Sequence, residues 1–375
     1  MSTLTTAVPS FESIGELQDA LLSKENHQPI DLYPRDGNTQ LSELEVRFAN
    51  LARVERDELV LCASGMAAVT GAINTCINKD SVVAFAWQSY SQTDAYRSFL
   101  ESIGIRIVRF DSGSKQNIEN VFTRTRPTVV FSETVSNGID TPVLDIDSLF
   151  NTCDELELNP KYVLDNTLPL SSALNTTNDI DPRRQVLIVE SATKSYAFNS
   201  ELAGVVYSKN EELLTKFKDK RRTDGFGPNI AAVEKLEHLL PDSRKTFDDR
   251  NIKIFKNSRA LAIAAFAAQG DGRKFVVSHP AIPDHPNHDR LRDIPHGGSP
   301  VFYIHSTGSS DQFEIAEQLW NSKKVRDHAV LGQSFGFDET RILPNATCPV
   351  VRIAAGAETN VSALGCAIKR ALEVK

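Results

Sequence analysis

Between Ser81 and Ser208 the chain returns again and again to a short apolar run: SVVAFA, IRIVRF, PTVVFSET, KYVLDNT, QVLIVESAT and ELAGVVYS. Strands that are apolar along most of their length have no face to give to water, so they belong in a sheet covered on both sides. Helix-like segments separate most of the runs, as TDAYRSFLESIG (Thr93–Gly104) does, and supply the crossovers of a largely parallel sheet. Ahead of them, LVLCASGMAAVTGAINTCI (Leu59–Ile77) opens as a buried strand, turns at Ser64-Gly65 and continues as a helix rich in small residues. SELEVRFANL (Ser42–Leu51) begins with a capping serine and repeats apolar residues at helical period, which predicts a further helix.

A chain of 375 residues favours two packed domains. A polar arm runs to about Thr39, and near Pro241 the character changes. There a charged amphipathic segment (Asp242–Gln269) predicts a linking helix, followed by HPAIPDHPNHDRLRDIPHGGSP and then strands and helices to the end. The expected division is an arm (1–45), a large α/β domain (46–244) and a smaller α+β domain (245–375). The longest apolar run, LAIAAFAA (Leu261–Ala268), is too short to span a bilayer, and MSTLTTAVPSFES lacks the basic and apolar parts of a signal peptide. Cys62, Cys76, Cys153, Cys348 and Cys366 form no CxxC and read as reduced thiols of a cytoplasmic protein. Net charge is −8, and the one basic cluster, KFKDKRR (Lys216–Arg222), reads as a solvated helix face. The expected partner is a small molecule, neither nucleic acid nor membrane.

Ligands of open α/β sheets bind beyond the carboxyl ends of the strands. Four such ends carry unusual polar residues here: ASGM, ETVSNG, LDNT and SATK. Gly65 and Met66 start a helix, whose N–H groups and dipole suit a phosphate. Asp165 ends an apolar strand, where a carboxylate is costly unless it meets a cation. Ser191 and Thr193 place two hydroxyls at another strand end, and Lys194 follows. Each feature alone is commonplace: a helix cap, a turn, a strand end with a surface lysine. Together, a phosphate site, a carboxylate awaiting a cation and a reactive amine describe pyridoxal 5′-phosphate, with Lys194 as the Schiff-base lysine.

The same residues resemble the Cys/Met-metabolism enzymes that use pyridoxal phosphate, a family that includes cystathionine γ-synthase, cystathionine γ-lyase and methionine γ-lyase. YPRDGNTQLSELEVRFANL, SYSQTDAYRSF, VFSETVSNG, VLDNTLP, SATK, ELAGVVYS, HPAIPDHPNH, QSFGFDETRI and VRIAAGAE resemble successive motifs of that family, in order, over nearly the whole chain after the arm. The resemblance implies the aspartate-aminotransferase-like fold type I. It makes Lys194 the cofactor lysine and proton carrier, and Tyr90 the aromatic stacked on the ring and a possible proton donor or acceptor. Asp165 would pair with the ring nitrogen, and Gly65, Met66, Ser191 and Thr193 would hold the phosphate. Asn137 would sit at the ring oxygen, while Arg352 and Ser334 would bind the substrate carboxylate. Tyr33 and Arg35 would reach the phosphate of a neighbouring subunit, in a homo-oligomer expected to be a dimer of dimers.

Departures from the family pattern lie around the substrate. Ser91 and Gln92 stand where the family has paired glycines, and Phe198-Asn199-Ser200-Glu201 stand for Gly-His-Ser-Asp, read as an altered entrance. Gln333 takes a place where cystathionine-handling members often carry an acid. His279, His285, His288 and His296 are broken up by prolines and do not read as a zinc site. HGGSP imitates a lipase loop without any GxSxG, and GFGPN is a loop rather than a dinucleotide fingerprint. The expected activity is γ-elimination or γ-replacement on an amino acid with a γ-leaving group, such as an O-acyl homoserine or a homocysteine thioether. β-Elimination is the alternative; a non-catalytic protein keeping the fold is disfavoured by the intact lysine, aspartate and arginine.

Overall fold

The computed structural model describes residues 38–170, 180–269, 275–289, 298–307, 313–345 and 349–373, with 13, 15 and 16 as isolated positions. Tyr33, Arg35, His296 and Cys348 lie outside the described residues. The apolar runs form a seven-stranded sheet: β1 (Leu59–Cys62), β2 (Val82–Ala86), β3 (Arg106–Phe110), β4 (Val129–Glu133), β5 (Lys161–Asp165), β6 (Val186–Glu190) and β7 (Gly204–Tyr207). Their order is β1-β7-β6-β5-β4-β2-β3. The pairs from β6 through β3 are parallel, while β7 runs antiparallel to both β6 and β1. The reversal follows directly after the lysine motif, where the chain folds back across the sheet edge.

Alternate side chains of each strand enter separate cores, as strand geometry demands. Val83, Phe85, Phe131, Val163, Leu187 and Val189 pack with Leu213 and Phe217 on one face. Ala84, Val130, Tyr162, Leu164 and Ile188 pack on the other with Phe48, Leu236 and Phe247. Each fully buried Phe or Leu contributes about 1.5–3 kcal/mol, so a one-residue slip of register would be heavily penalised. The covering helices begin at polar caps: Asn38 accepts from Leu41 N–H, Ser64 from Ala67 N–H and Asn210 from Leu213 N–H.

The sequence changes character where the Arg244–Phe266 helix starts, capped by Ser243. Beyond it lie β8 (Phe275–Ser278), β9 (Val301–Ser306), β10 (Ala329–Leu331), β11 (Thr340–Pro344) and β12 (Val350–Ala354), in the order β10-β11-β12-β9-β8. Leu261 and Ala265 of that helix, with Leu364 and Ile368 of the Val361–Glu373 helix, bury one face of this second sheet. A further apolar cluster joins the two sheets: Val135, Val143, Leu168 and Leu170 meet Phe255, Tyr303, Phe335 and Val350. That joint fixes the carboxyl edge of the large sheet against the β9–β12 side of the small one.

His279, His285 and His288 bond to the backbone. His279 is fully buried, its Nδ1 accepting from Ala281 N–H at 3.0 Å and its Nε2 lying 3.2 Å from Ser299 O. His285 Nδ1 accepts from Asn287 N–H, and His288 Nδ1 lies 3.0 Å from Pro280 O. Among the described residues no group of three or more His, Cys, Asp or Glu is placed to hold a metal, and no helix is long and apolar enough to cross a membrane.

Candidate active site

The carboxyl ends of β1, β4, β5 and β6 open into one cavity of about 870 Å³, closed on the far side by β9, β12 and the Gln333–Phe335 turn. All of the expected site residues that are described line it, including Lys194, Tyr90, Asp165, Asn137, Ser334 and Arg352.

The phosphate-like end is built by close approach. Ser64 caps the Gly65–Cys76 helix through Ala67 N–H, leaving the N–H groups of Gly65 and Met66 without an intrahelical partner. Gly65 packs on Ser191 so tightly that a Cβ there would stand 2.5 Å from Ser191 Cβ. Ser191 is anchored in turn, its N–H donating to Thr167 Oγ1 at 2.8 Å. The expected pairing of two hydroxyls is uneven. Thr193 Oγ1 already donates to Ala203 O (3.2 Å) and accepts from Ala203 N–H (3.0 Å), which leaves Ser191 as the freer donor for an anion.

Asp165 sits at the end of β5, buried, with Oδ1 accepting from Thr167 N–H at 2.9 Å. Burial raises its pKa to about 6, the Thr167 hydrogen bonds oppose this, and the charge of Glu190 adds to it. No cation pairs with it among the described residues. A protonated ring nitrogen would supply one.

Lys194 follows β6 in the short Ala192–Ser195 helix and reaches back into the cavity. Its Nζ lies 2.5 Å from Ser334 Oγ and 3.4 Å from Asn199 Oδ1, and 5.7 Å from the Phe335 ring centre. Burial, with Arg352 as a second cause, lowers its pKa to about 8, as an amine that works as nucleophile and base near neutrality requires. Gly336, at φ 83°, lets the opposite turn lie against Lys194: a Cβ there would be 2.5 Å from Lys194 O. Arg352 projects from β12, its Nη2 donating to Ser334 O at 3.1 Å while its Nε is buried without a partner. Arg352 also lines the cavity, where a guanidinium suits an incoming carboxylate.

Three residues of the site escaped the sequence reading. Glu133 is buried at the end of β4 and accepts from Tyr90 N–H (2.5 Å) and Asn137 N–H (2.8 Å), so one carboxylate ties both segments to the sheet. Burial, then the charge of Asp165, raises its pKa to about 8. Tyr303 donates towards Asn137, 3.0 Å from its Oδ1. Asn199, read as part of the entrance, instead meets the Lys194 amine. Glu133 stands in ETVSNG, whose acid at a strand end was the available signal; Asn199 was marked only by its departure from the family pattern, and Tyr303 gave no signal.

Compared with known proteins, the chain matches the family profile described as Cys/Met metabolism PLP-dependent enzyme over residues 5–363. No curated protein matches in sequence. Among solved structures it is similar to a cystathionine γ-synthase from Xanthomonas oryzae pv. oryzae, at 18% identity and TM-score 0.76, covering 98% of this chain and 92% of that one. It is also similar to a putative O-acetylhomoserine (thiol)-lyase from Campylobacter jejuni subsp. jejuni that carries a pyridoxyl-lysine monophosphate (19% identity, TM-score 0.77, coverage 99% and 94%). A third is CalE6, a methionine γ-lyase from Micromonospora echinospora (19% identity, TM-score 0.74, coverage 93% and 90%). With its profile match, its mostly parallel sheet and a half-buried lysine at the sheet's carboxyl edge, the chain belongs to the Cys/Met-metabolism family of pyridoxal-phosphate-dependent enzymes.

Proposed function

We propose that this protein catalyses γ-elimination or γ-replacement on an amino acid bearing a leaving group at its γ-carbon, an O-acyl homoserine, a homocysteine thioether or a related compound. The observation that carries the reading is the Lys194 amine. It is half-buried, its pKa is lowered to about 8, and it shares one cavity with Asp165 and Arg352. The named activities of the similar cystathionine γ-synthase, O-acetylhomoserine lyase and methionine γ-lyase support a γ-carbon substrate.

Pyridoxal phosphate, when bound, supplies an electron sink that makes carbon-bound protons of the amino acid removable. The protein's residues do the rest. Gly65 and Met66 N–H and the Ser191 hydroxyl would hold the phosphate, and Thr193, bonded to Ala203, would support the wall beside it. Asp165 would keep the ring nitrogen protonated, Tyr90 would cover the ring, and Asn137 would bond the ring oxygen. Arg352, held by its Nη2 to Ser334 O, would orient the substrate carboxylate, assisted by Ser334. The Lys194 amine, with its lowered pKa, would take and return protons at adjacent substrate carbons. Tyr33 and Arg35, which lie outside the described residues, would on the same reading serve the phosphate site of a neighbouring subunit.

The test is a product screen with O-acetylhomoserine, cystathionine, methionine, cysteine and canavanine, measuring keto acid and new thioether. Turnover confined to γ-substituted substrates and lost in Lys194→Ala is expected. Turnover of cysteine alone would establish β-chemistry instead.

A further inference from the structure

The segment Phe198-Asn199-Ser200-Glu201, which departs from the family pattern, plays no part in the chemistry above and yet touches the reactive amine. Asn199 Oδ1 lies 2.8 Å from Ser334 Oγ and 3.4 Å from Lys194 Nζ, and Ser334 Oγ lies 2.5 Å from Lys194 Nζ. Three polar groups thus close a triangle. The amide has one sensible orientation, because Nδ2 donates to Phe335 O at 2.8 Å and leaves Oδ1 facing the triangle. A side-chain carbonyl has no hydrogen to give, so the single hydroxyl hydrogen of Ser334 goes to Asn199. The lone pairs of Ser334 then face Lys194. A charged ammonium finds two acceptors there, and a neutral amine finds no donor.

The segment is pinned on several sides. Asn199 N–H donates to Thr193 O at 2.7 Å, the Arg250 guanidinium lies 4.5 Å from the Phe198 ring centre, and Lys235 holds both Ser200 O (2.5 Å) and Glu201 (3.0 Å). Asn199 at φ 59° and Ser334 at φ 74° both occupy the left-handed region, so the two sides of the triangle are held in backbone conformations that L side chains seldom take.

We infer that Asn199 is a positioning residue: by fixing the direction of the Ser334 hydroxyl it sets the proton affinity of the Lys194 amine. The inference rests on the reading of Lys194 as the cofactor-capturing lysine. The other titratable groups around the amine are Arg352 on β12, Asp165 on β5, Glu133 on β4, Tyr303 on β9 and Tyr90 before the Ser91–Ser102 helix. Among the described residues, none of them bonds to the Ser334 hydroxyl.

The experiment measures the rate at which full-length protein, stripped of cofactor, captures added pyridoxal phosphate as a function of pH. Absorbance near about 420 nm reports capture, and Lys194→Ala is the blank. Asn199→Leu frees the hydroxyl to donate to a neutral amine, so the midpoint moves down by about one pH unit. Asn199→Asp puts a carboxylate beside the amine and moves the midpoint up by about one unit or more. Lys235→Met loosens the same segment without touching the triangle and keeps the wild-type midpoint. A merely structural Asn199 would lower the melting temperature of its variants and leave their midpoints in place. Opposite shifts in the two Asn199 variants support the inference; should the leucine variant fail to fold, Asn199→Ala takes its place and must also move the midpoint down, since the upward shift in Asn199→Asp follows from charge alone. An unchanged midpoint in a folded Asn199 variant overturns the inference alone. Wild-type protein that captures no cofactor overturns the reading of Lys194 and this inference with it.

Discussion

Gly65→Ala is the perturbation that most directly tests how the phosphate end is built. The added Cβ would stand 2.5 Å from Ser191 Cβ, 2.7 Å from its Oγ and 2.9 Å from its Cα. Contacts of this kind become ordinary only from 3.4 Å, so helix start and strand end must part by 3.4 − 2.5, about 0.9 Å. Two effects compete. Alanine is the better helix former by up to about 1 kcal/mol, less so at the first helical position. Overpacking costs about 1–3 kcal/mol, and here one of the opposing atoms is backbone that cannot swing aside. The overlap wins, for a net loss of about 1–2 kcal/mol of stability. If the Gly65 and Met66 N–H groups and the Ser191 hydroxyl converge on one phosphate, as proposed, binding suffers more. Losing one such charge-assisted bond costs about 1.5–3 kcal/mol, which is roughly ten- to hundredfold in affinity. Equilibrium titration of stripped protein with pyridoxal phosphate, beside urea denaturation, measures both. Wild-type affinity in Gly65→Ala would remove the phosphate from this helix start, and an unchanged denaturation midpoint as well would refute the packing argument.

Lys194→Ala is expected to abolish the absorbance near about 420 nm given by wild-type protein with pyridoxal phosphate; a retained band would end the reading of that lysine. Glu190 accepts from Asn166 Nδ2 (2.7 Å), Tyr207 OH (2.7 Å) and Tyr196 OH (3.2 Å) in the core behind Asp165, so Glu190→Gln sets donor against donor. That change should cost about 1–3 kcal/mol in urea denaturation, and a loss below about half a kcal/mol would show the network to be slack. Glu133 and Asp165 are raised to about 8 and about 6 from 4.5 and 3.8, so below the lower values both states are protonated and above them only the unfolded chain ionises readily. Stability of stripped protein therefore falls as pH rises from about 4 to about 8, and Glu133→Gln flattens the fall. Lys194, lowered from 10.5 to about 8, acts oppositely and returns stability between those values. A denaturation midpoint flat from pH 5 to pH 8 would contradict this assignment.

The sheet was legible because its strands are apolar runs whose alternate residues both need cover, a requirement Val83, Phe85 and Phe131 meet on one side and Ala84, Val130 and Leu164 on the other. The ligands at strand ends were legible for the related reason that Asp165, Ser191 and Lys194 are polar where the pattern expects apolar residues. The reversed β7 was not, since ELAGVVYS carries the same apolar signal in either direction. Glu133 was overlooked because its partners are backbone N–H groups of Tyr90 and Asn137, and backbone donors leave no mark in a sequence. The engagement of Thr193 with Ala203 was hidden in the same way. Asn199 and Ser334 lie far apart in the chain and meet only because both adopt left-handed backbone, which neither residue type announces.

The electrostatics of the cavity argue for an occupant of mixed charge. Asp165 and Glu133 are both pushed toward their neutral forms by burial, while the Lys194 amine is pushed toward its own neutral form. Arg352 keeps a buried Nε without a partner, and two helix-start N–H groups face the opposite end. A purely anionic ligand would answer the arginine and the helix but worsen Asp165; a purely cationic one would do the reverse. A molecule with a cationic ring nitrogen and a phosphate, followed by a substrate carboxylate, relieves each group in turn. Binding of pyridoxal phosphate should therefore raise the melting temperature and shrink the pH dependence of stability above pH 5, because the ring nitrogen restores the ionised form of Asp165. Calorimetric scans of stripped and loaded protein across that range measure both effects, and parallel pH profiles in the two states would show that the ring nitrogen is not at Asp165.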